Sequence, residues 1–330
     1  CPLTEADLPK TLRDVDLSIA GSSPWAVNPG DLRGNLFSIA IRSIDLANYD
    51  AESFRPLRAI PNFFGHQRFG TARPNTHKIG RYLVKGDPEG AVREFLAEPY
   101  QGEPNFAYDA REALKNNWDL QEALEKFPQG LSYERLMLQR LSINPSMYSE
   151  AFNALPKTLL RLFIDSYQSY LFNIALSKRM STIGLSSIAQ GDFVSPLDRW
   201  SSPSRAIKVN QGNFGSLQKM IADGRAVPMM RIIGSKTDFG GSEGEIYGHL
   251  LESEGVKIGD FGKILGMPFE GTLRGITFTP LQYEAGAIAP DPLNQGKHTI
   301  SLKTFLPKSC YATVMLREIM RPEDPLAAGF

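Results

Sequence analysis

Pro61-Asn62-Phe63-Phe64-Gly65-His66-Gln67-Arg68-Phe69-Gly70 lies inside the most unevenly charged part of a 330-residue chain. Between Arg55 and Lys85 there are seven basic side chains, Arg55, Arg58, Arg68, Arg73, Lys78, Arg81 and Lys85, and no Asp or Glu. The formal net charge of the whole chain is zero, so the remainder carries the opposite charge. Phe63, Phe64, Phe69, Tyr82, His66 and His77 are interleaved with the cations. Cations that meet phosphates, beside flat rings that stack on unpaired bases, are what single-stranded RNA recognition requires. The competing reading is a solvated basic loop whose phenylalanines plug a core. Phe63 and Phe64 are adjacent, so in extended backbone they point to opposite sides, one to a core and one free. Pro56, Pro61, Gly65, Gly70 and Pro74 interrupt the segment and predict that much of it is loop.

The rest of the composition narrows the field by exclusion. The length suffices for a large core and two domains. Apolar residues make up 42 % of the chain, as in an ordinary globular protein. No run of 18 apolar residues occurs and no secretion signal is visible, so neither a membrane span nor export is expected. Two cysteines, Cys1 and Cys310, make no disulfide scaffold and fit a reducing cytoplasm. His66, His77, His249 and His298 are scattered without zinc spacing. There is no phosphate loop and no dinucleotide fingerprint.

Periodicity divides the chain. Phe37, Ile39 and Ile41 alternate with Ser38, Ala40 and Arg42, which predicts a strand over 35–42 after a turn at Asn28–Asp31. Asp87-Pro88 opens a helix that buries Ala91, Val92, Phe95 and Leu96. Ala110, Leu114 and Trp118 make one helical stripe, with Trp118 in the core, and another helix starts near Tyr133. A long helix follows Pro156 and ends near Met180. Its Arg161, Asp165, Ser169 and Asn173 form a polar stripe, either a solvated face or the wall of a site. Between 181 and 280 short β-like runs at 206–209 and 227–233, a joint at Gly240-Gly241 and a helix over 243–254 suggest an α+β module; His249 falls on its surface. Ile300 and Leu302 alternate with polar residues, and a helix over 312–320 closes the chain.

The segment Pro61 to Gly70 resembles the Asn-Tyr-Phe-Gly-x-Gln-Arg-Phe-Gly signature of the TruD family of tRNA pseudouridine synthases, with Phe63 in place of the Tyr. The resemblance continues in order along nearly the whole chain. Gly30-Asp31-Leu32-Arg33-Gly34-Asn35-Leu36-Phe37 is similar to the family's Gly-x-Leu-x-Gly-Asn-x-Phe strand. His77-Lys78-Ile79-Gly80, Gly86-Asp87, Tyr167-Gln168-Ser169 with Phe172-Asn173, Gly191-Asp192 with Val194, and Gly271 with Arg274 follow. Phe305-Leu306-Pro307 through Leu316-Arg317-Glu318 matches the C-terminal motif, with Ser309 where Gly is common and Cys310 where Ser is common.

The resemblance implies an α/β (α+β) fold. A pseudouridine-synthase catalytic domain on a mostly antiparallel sheet would occupy residues 1–100 and 281–330, with an inserted α+β TRUD domain over 101–280. It implies an isomerase that converts uridine to pseudouridine in tRNA at position 13, with no cofactor and no metal. The protein would be a cytoplasmic monomer with tRNA as partner and other structured RNA as a further one. Phe64 would stack on the flipped base. Asn62 would hydrogen-bond near it or orient the nucleophile. Gln67 and Arg68 would brace the loop or neutralise that carboxylate, with Ser169 and Asn173 as supports. Arg73, Lys78 and Arg81 would meet the RNA backbone. Arg317 and Glu318 would act there or simply pair. The family's nucleophilic aspartate lies in a Gly-x-Lys-Asp-x-x-Ala-x-Thr motif that this sequence does not contain. Asp7, Asp14, Asp16 and Asp31 lack its surroundings. The expectation is that the motif lies upstream of Cys1 and that a protein beginning at Cys1 is inactive. The alternative is a non-catalytic RNA-binding protein with a degenerate synthase fold; a weaker third is a metabolic enzyme with a basic pocket for phosphorylated substrates.

Overall fold

A computed structural model of the chain describes residues 14, 21, 23–28, 30–325 and 328. The chain divides into two units, Cys1–Arg33 and Gly34–Phe330. In the first, the expected turn closes with the Asp31 amide donating to the Asn28 carbonyl at 3.1 Å. Cys1, Asp7, Asp16 and Pro29 lie outside the described residues.

The second unit begins with β1 (Gly34–Ile44) and β2 (Ile60–Pro61). A helical stretch follows: α1 (Thr76–Val84), α2 (Pro88–Ala97), α3 (Asn105–Asn117), α4 (Leu120–Lys126), α5 (Ser132–Ile143), α6 (Tyr148–Asn153) and α7 (Lys157–Thr182). Then come β3 (Phe193–Pro196), β4 (Ile207–Lys208), α8 (Phe214–Ala222), β5 (Ala226–Ile232) and α9 (Gly244–Glu254). The chain continues through β6 (Lys263–Ile264), β7 (Met267–Pro268), β8 (Thr272–Gly275), β9 (Thr277–Phe278), β10 (Leu281–Ala285) and β11 (Ala289–Pro290). It closes with β12 (His298–Pro307) and α10 (Ala312–Met320).

All strand pairings among the described residues are antiparallel. One sheet is built on β12, which pairs with β1, β10 and β11; another has the order β4-β3-β5-β8. In β1 the alternation holds, with Ile39 opposite Leu302 and Ile41 opposite Ile300. Ser43 then takes φ of 57° and the register breaks, a bulge that turns Ile44 inward after a three-residue step. The core of this sheet is Ile41, Ile44, Ile300, Leu302 and Leu306 with Val314, Met315 and Ile319 of α10. A larger core runs through α1 to α7, β5 and α9, so α1 and α2 share it with the helices beyond residue 105.

Local chemistry explains the helix boundaries. Asp87 caps α2 by accepting from the Gly90 amide at 2.8 Å, and Ala91, Val92, Phe95 and Leu96 are buried as expected. The last carbonyls of α2 would be orphaned in the interior. Two guanidiniums satisfy them: Arg111 donates to Phe95 O and Leu96 O, and Arg73 to the carbonyls of Glu94, Phe95 and Glu98 at 3.0–3.1 Å. Glu103 pairs with both, at 3.0 Å from Arg73 and 2.7 Å from Arg111. Cations at a helix C-terminus also meet its dipole favourably. Arg73 was expected on the RNA backbone; its guanidinium is instead committed to a helix end.

Much of the basic stretch is loop as expected, up to residue 75; α1 then follows with Ile79, Gly80, Leu83 and Val84 buried. Two further expectations are corrected. Trp118 does not continue the stripe of α3: it ends that helix in the left-handed region, φ 51°, half-buried, with Arg93 3.9 Å from its ring centroid. Gly240-Gly241 is no loose joint, since the Ser242 amide and hydroxyl next to it donate to Asp192 at 2.6 and 2.9 Å. His249 is exposed as expected. No helix among the described residues is long and apolar enough to cross a membrane.

The spine of the larger core is α7, 26 residues long, against which α1 lies closely enough to exclude a side chain. A Cβ on Gly80 would stand 2.0 Å from the Phe163 carbonyl oxygen. Gly80→Ala is therefore expected to force the helices apart and to destabilise the fold by about 1–3 kcal/mol, the usual range for overpacking. Gly130→Ala, with nothing within 4 Å of its Cβ, serves as the control. Urea midpoints of the two variants check this, and equal midpoints would refute the close-approach argument.

Candidate active site

Stretches far apart in the chain line one cleft of about 530 Å³. Phe64 and Arg68 come from the segment after β2, and Arg161, Asp165, Gln168 and Ser169 from α7. Ile232 of β5, Pro268 to Thr272, Arg274 of β8 and Ser309 complete it. The polar stripe of α7 is thus a site wall rather than a solvated face.

The Phe64 segment has few ladder bonds of its own, and α7 supplies the substitute. Asn173 Oδ1 accepts from the Phe64 amide at 2.8 Å, and its Nδ2 donates to the Phe64 carbonyl at 3.0 Å. One turn earlier, Arg68 Nε donates to Ser169 Oγ at 3.1 Å. Ser166 Oγ donates to the Arg68 carbonyl at 2.8 Å. Three side chains at three- and four-residue spacing therefore fasten five residues of loop. Ser169 lines the cleft; Asn173 holds Phe64 from outside its lining.

Phe63 and Phe64 diverge, as adjacent residues in extended backbone should. Phe63 packs against both large cores, with Arg317 5.3 Å from its ring and Arg317 paired to Glu318 at 3.3 Å. Phe64 faces the cleft, its edges against Phe172 and Tyr311 at centroid distances of 5.6 and 6.2 Å. The guanidinium of Arg274 lies 4.0 Å from the Phe64 centroid, so one face of the ring carries a cation. Phe69 is half-buried, edge-on to His77 at 5.3 Å.

Arg274 is the site residue that pattern reading missed. It is 8 % exposed. Its Nε donates to the Asn62 carbonyl at 3.1 Å, and its Nη2 to Asn62 Oδ1 at 2.8 Å and to the Ser309 carbonyl at 2.7 Å. Burial pushes its pKa down to about 10, so it stays charged at neutral pH. Asn62 also donates to the Gly275 carbonyl at 3.0 Å and lies outside the cleft lining; what it holds is Arg274. Gly271 lets β8 reach this position: its φ is 85°, and a Cβ there would stand 2.7 Å from the Ile232 carbonyl. The only signal for Arg274 in the sequence was its place in the family motif, since its partner Asn62 is 212 residues away.

Other charges in the cleft are offset or solvated. Asp165 sits 3.7 Å from Arg68; burial raises its pKa, and Arg68 and Arg161 oppose that. Glu270 pairs with Lys236 at 2.7 Å. Arg161 is exposed, 5.3 Å from the Phe269 ring. The remaining expected site residues stand apart from the lining. Gln67 donates to Thr313 Oγ1 at 3.1 Å on α10. On α1, Lys78 donates to the Tyr100 hydroxyl at 2.9 Å and Arg81 pairs with Glu254 at 2.7 Å. Among the described residues no three His, Cys, Asp or Glu side chains are grouped so as to hold a metal ion.

The clip on Phe64 has a consequence that does not depend on activity. Asn173→Ala leaves the Phe64 amide and carbonyl without partners, each worth about 0.5–1.5 kcal/mol. The Phe64 amide should then exchange its hydrogen about 2- to 12-fold faster, while amides of α7 near Leu160 keep their protection. Hydrogen exchange read by NMR checks this; unchanged Phe64 exchange would show that the loop holds itself.

Comparison with known proteins fits this geometry. Residues 2–319 match the family described as tRNA pseudouridine synthase D (TruD). A probable tRNA pseudouridine synthase D of Methanosarcina mazei is 36 % identical over 325 residues, covering 94 % of this chain and 74 % of that protein. Its counterpart in Methanopyrus kandleri is 34 % identical over 323 residues, covering 96 % and 72 %. The crystal structure of a putative tRNA pseudouridine synthase D from Methanosarcina mazei superposes with a TM-score of 0.80 at 34 % identity, covering 96 % of this chain and 75 % of that one. The chain belongs to the tRNA pseudouridine synthase D (TruD) family.

Proposed function

We propose that the cleft receives a uridine turned out of tRNA and that the protein isomerises it to pseudouridine. The observation that carries this reading is the Phe64 wall: an aromatic ring, fixed at its backbone by Asn173, facing a cationic cleft of a size that takes a nucleoside. The target base is stacked within tRNA, so it must leave the stack, at a cost of a few kcal/mol. Stacking against a side-chain plane returns about 1–3 kcal/mol. In the reaction the bond between uracil N1 and ribose C1′ breaks, the ring turns, and C5 bonds to C1′. C5 loses a proton and N1 gains one, so substrate and product are isomers. The resemblance assigns the nucleophile to an aspartate motif that this sequence does not contain, and Asp165 and Glu270 lack the surroundings of that motif.

The target we assign is position 13 of tRNA, with other structured RNA as a further substrate class, for a monomeric cytoplasmic protein. Lys78 and Arg81, exposed on α1, are retained as contacts to the RNA backbone. Arg73 is not, because its Nη2 donates to the carbonyls of Glu94, Phe95 and Glu98 and its guanidinium pairs with Glu103.

The direct test incubates the native protein with unmodified tRNA and maps pseudouridine by carbodiimide treatment and primer extension. A stop next to position 13 is expected; unmodified product at every uridine would end this reading. Phe64→Ala should lower turnover by about 5- to 150-fold, the rate equivalent of one lost base stack, with circular dichroism unchanged. Turnover at the native rate would remove Phe64 from the base-binding wall.

A further inference from the structure

The cleft contains one buried charge that no described carboxylate balances. Asp165 has Arg68 beside it, and Glu270 has Lys236. Arg274 has the Asn62 and Ser309 carbonyls, the Asn62 amide oxygen and the Phe64 ring, and its Nη1 donates to no described residue. A guanidinium used only to brace carbonyls could be replaced by a neutral donor without the penalty of burying charge. A guanidinium meant for phosphate would be expected at an exposed rim, where the RNA backbone passes. Arg274 lies over the ring that is proposed to hold the base.

We propose that Arg274 is a catalytic residue that holds the negative charge the uracil acquires when its bond to ribose breaks. The inference rests on the isomerase reading above. When the N1–C1′ bond breaks, its electron pair goes to the uracil and spreads over N1, O2 and O4. The charge is transient: it is consumed as C5 forms its bond to C1′ and the proton is redistributed from C5 to N1. A cation fixed in advance by three acceptors needs no reorganisation as that charge appears, and at 8 % exposure it is little screened by water. Arg274 and Phe64 line the same cleft, so a base held there can meet the guanidinium in both its neutral and its anionic form. Only the anionic form gains from the charge, which is the condition for acceleration rather than mere binding.

The test measures single-turnover rate constants of the native protein and of its Arg274→Gln and Arg274→Lys variants. One tRNA transcript carries uridine at the target; a second carries 5-fluorouridine, whose fluorine stabilises the uracil anion by itself. Bond breaking is read as loss of the target nucleoside from a nuclease digest. Arg274→Gln should lower the uridine rate constant by about 10²–10³-fold, as removal of one preorganised donor does elsewhere, with Kd for tRNA unchanged. Arg274→Lys, which keeps the charge, should recover part of that loss. On 5-fluorouridine the defect of Arg274→Gln should shrink by about tenfold, following Brønsted behaviour. Equal losses on both substrates would mean that Arg274 only positions Asn62. A weakened Kd with a shallower salt dependence would mean that it holds a phosphate. Either result overturns the proposal. If Arg274→Gln fails to fold, Arg274→Lys carries the comparison, and its loss must again be smaller on 5-fluorouridine. A native protein that converts no uridine would instead remove the isomerase reading itself.

Discussion

A guanidinium nine-tenths removed from water, with no described acid beside it, carries a desolvation penalty of several kcal/mol. Arg274 keeps its place because three acceptors and an aromatic face converge on it. Those groups come from the segment after β2 and from the turn before α10, while Arg274 itself is on β8. The pairing of β2 with β9 brings the first and last of these strands within reach, and Asn62 is the residue that follows β2. Its neighbour Phe63 packs against both large cores. One buried charge thus requires the two cores and the turn between β12 and α10 to be in register before the cleft exists.

The second constraint is reciprocal. Because α7 is buried on most of its circumference, its Ser166, Gln168 and Ser169 cannot turn to water. An irregular loop has the opposite problem, backbone groups without a ladder. Each solves the other: Ser166, Ser169 and Asn173 take up the loop from Phe64 to Arg68, and Gln168 Nε2 donates to the Ile233 carbonyl beyond β5. The shape of the Phe64 wall is therefore stored in a helix about 100 residues further along the chain.

That division explains what could be read from sequence. Period-two and period-3.6 patterns report on local burial: β1, α7 and α10 were legible with ends nearly as observed, α2 by its start and β12 by its alternation. The stripe on α7 was visible as a stripe, but its direction was not, because nothing local says what faces it. Among its residues, α1 has Gly80 at the contact with α7, where a periodicity search looks for a side chain. Trp118 kept the spacing of a stripe while the backbone turned left-handed beneath it. Asn62 and Phe64 stood out through the motif. Arg274 did not stand out as chemistry, since its meaning lies in an amide oxygen and a ring more than 200 residues earlier.

The basic stretch shows why a run of charge is not a surface field. Four of its seven cations, Arg55, Arg68, Arg73 and Arg81, meet carboxylates of Glu52, Asp165, Glu103 and Glu254. All four acids lie outside the stretch, Asp165 and Glu254 by dozens of residues, which is how a chain of zero net charge absorbs a local excess. The stretch contributes the ring, the loop and one cleft arginine. The unbalanced cation arrives on β8 from the other side of the fold. A charge that must act on a transient anion benefits from this arrangement: paired with an acid along its own strand or loop, Arg274 would spend its field before the substrate arrived. Held by neutral oxygens among the described residues instead, its charge faces the cleft that it lines together with Phe64.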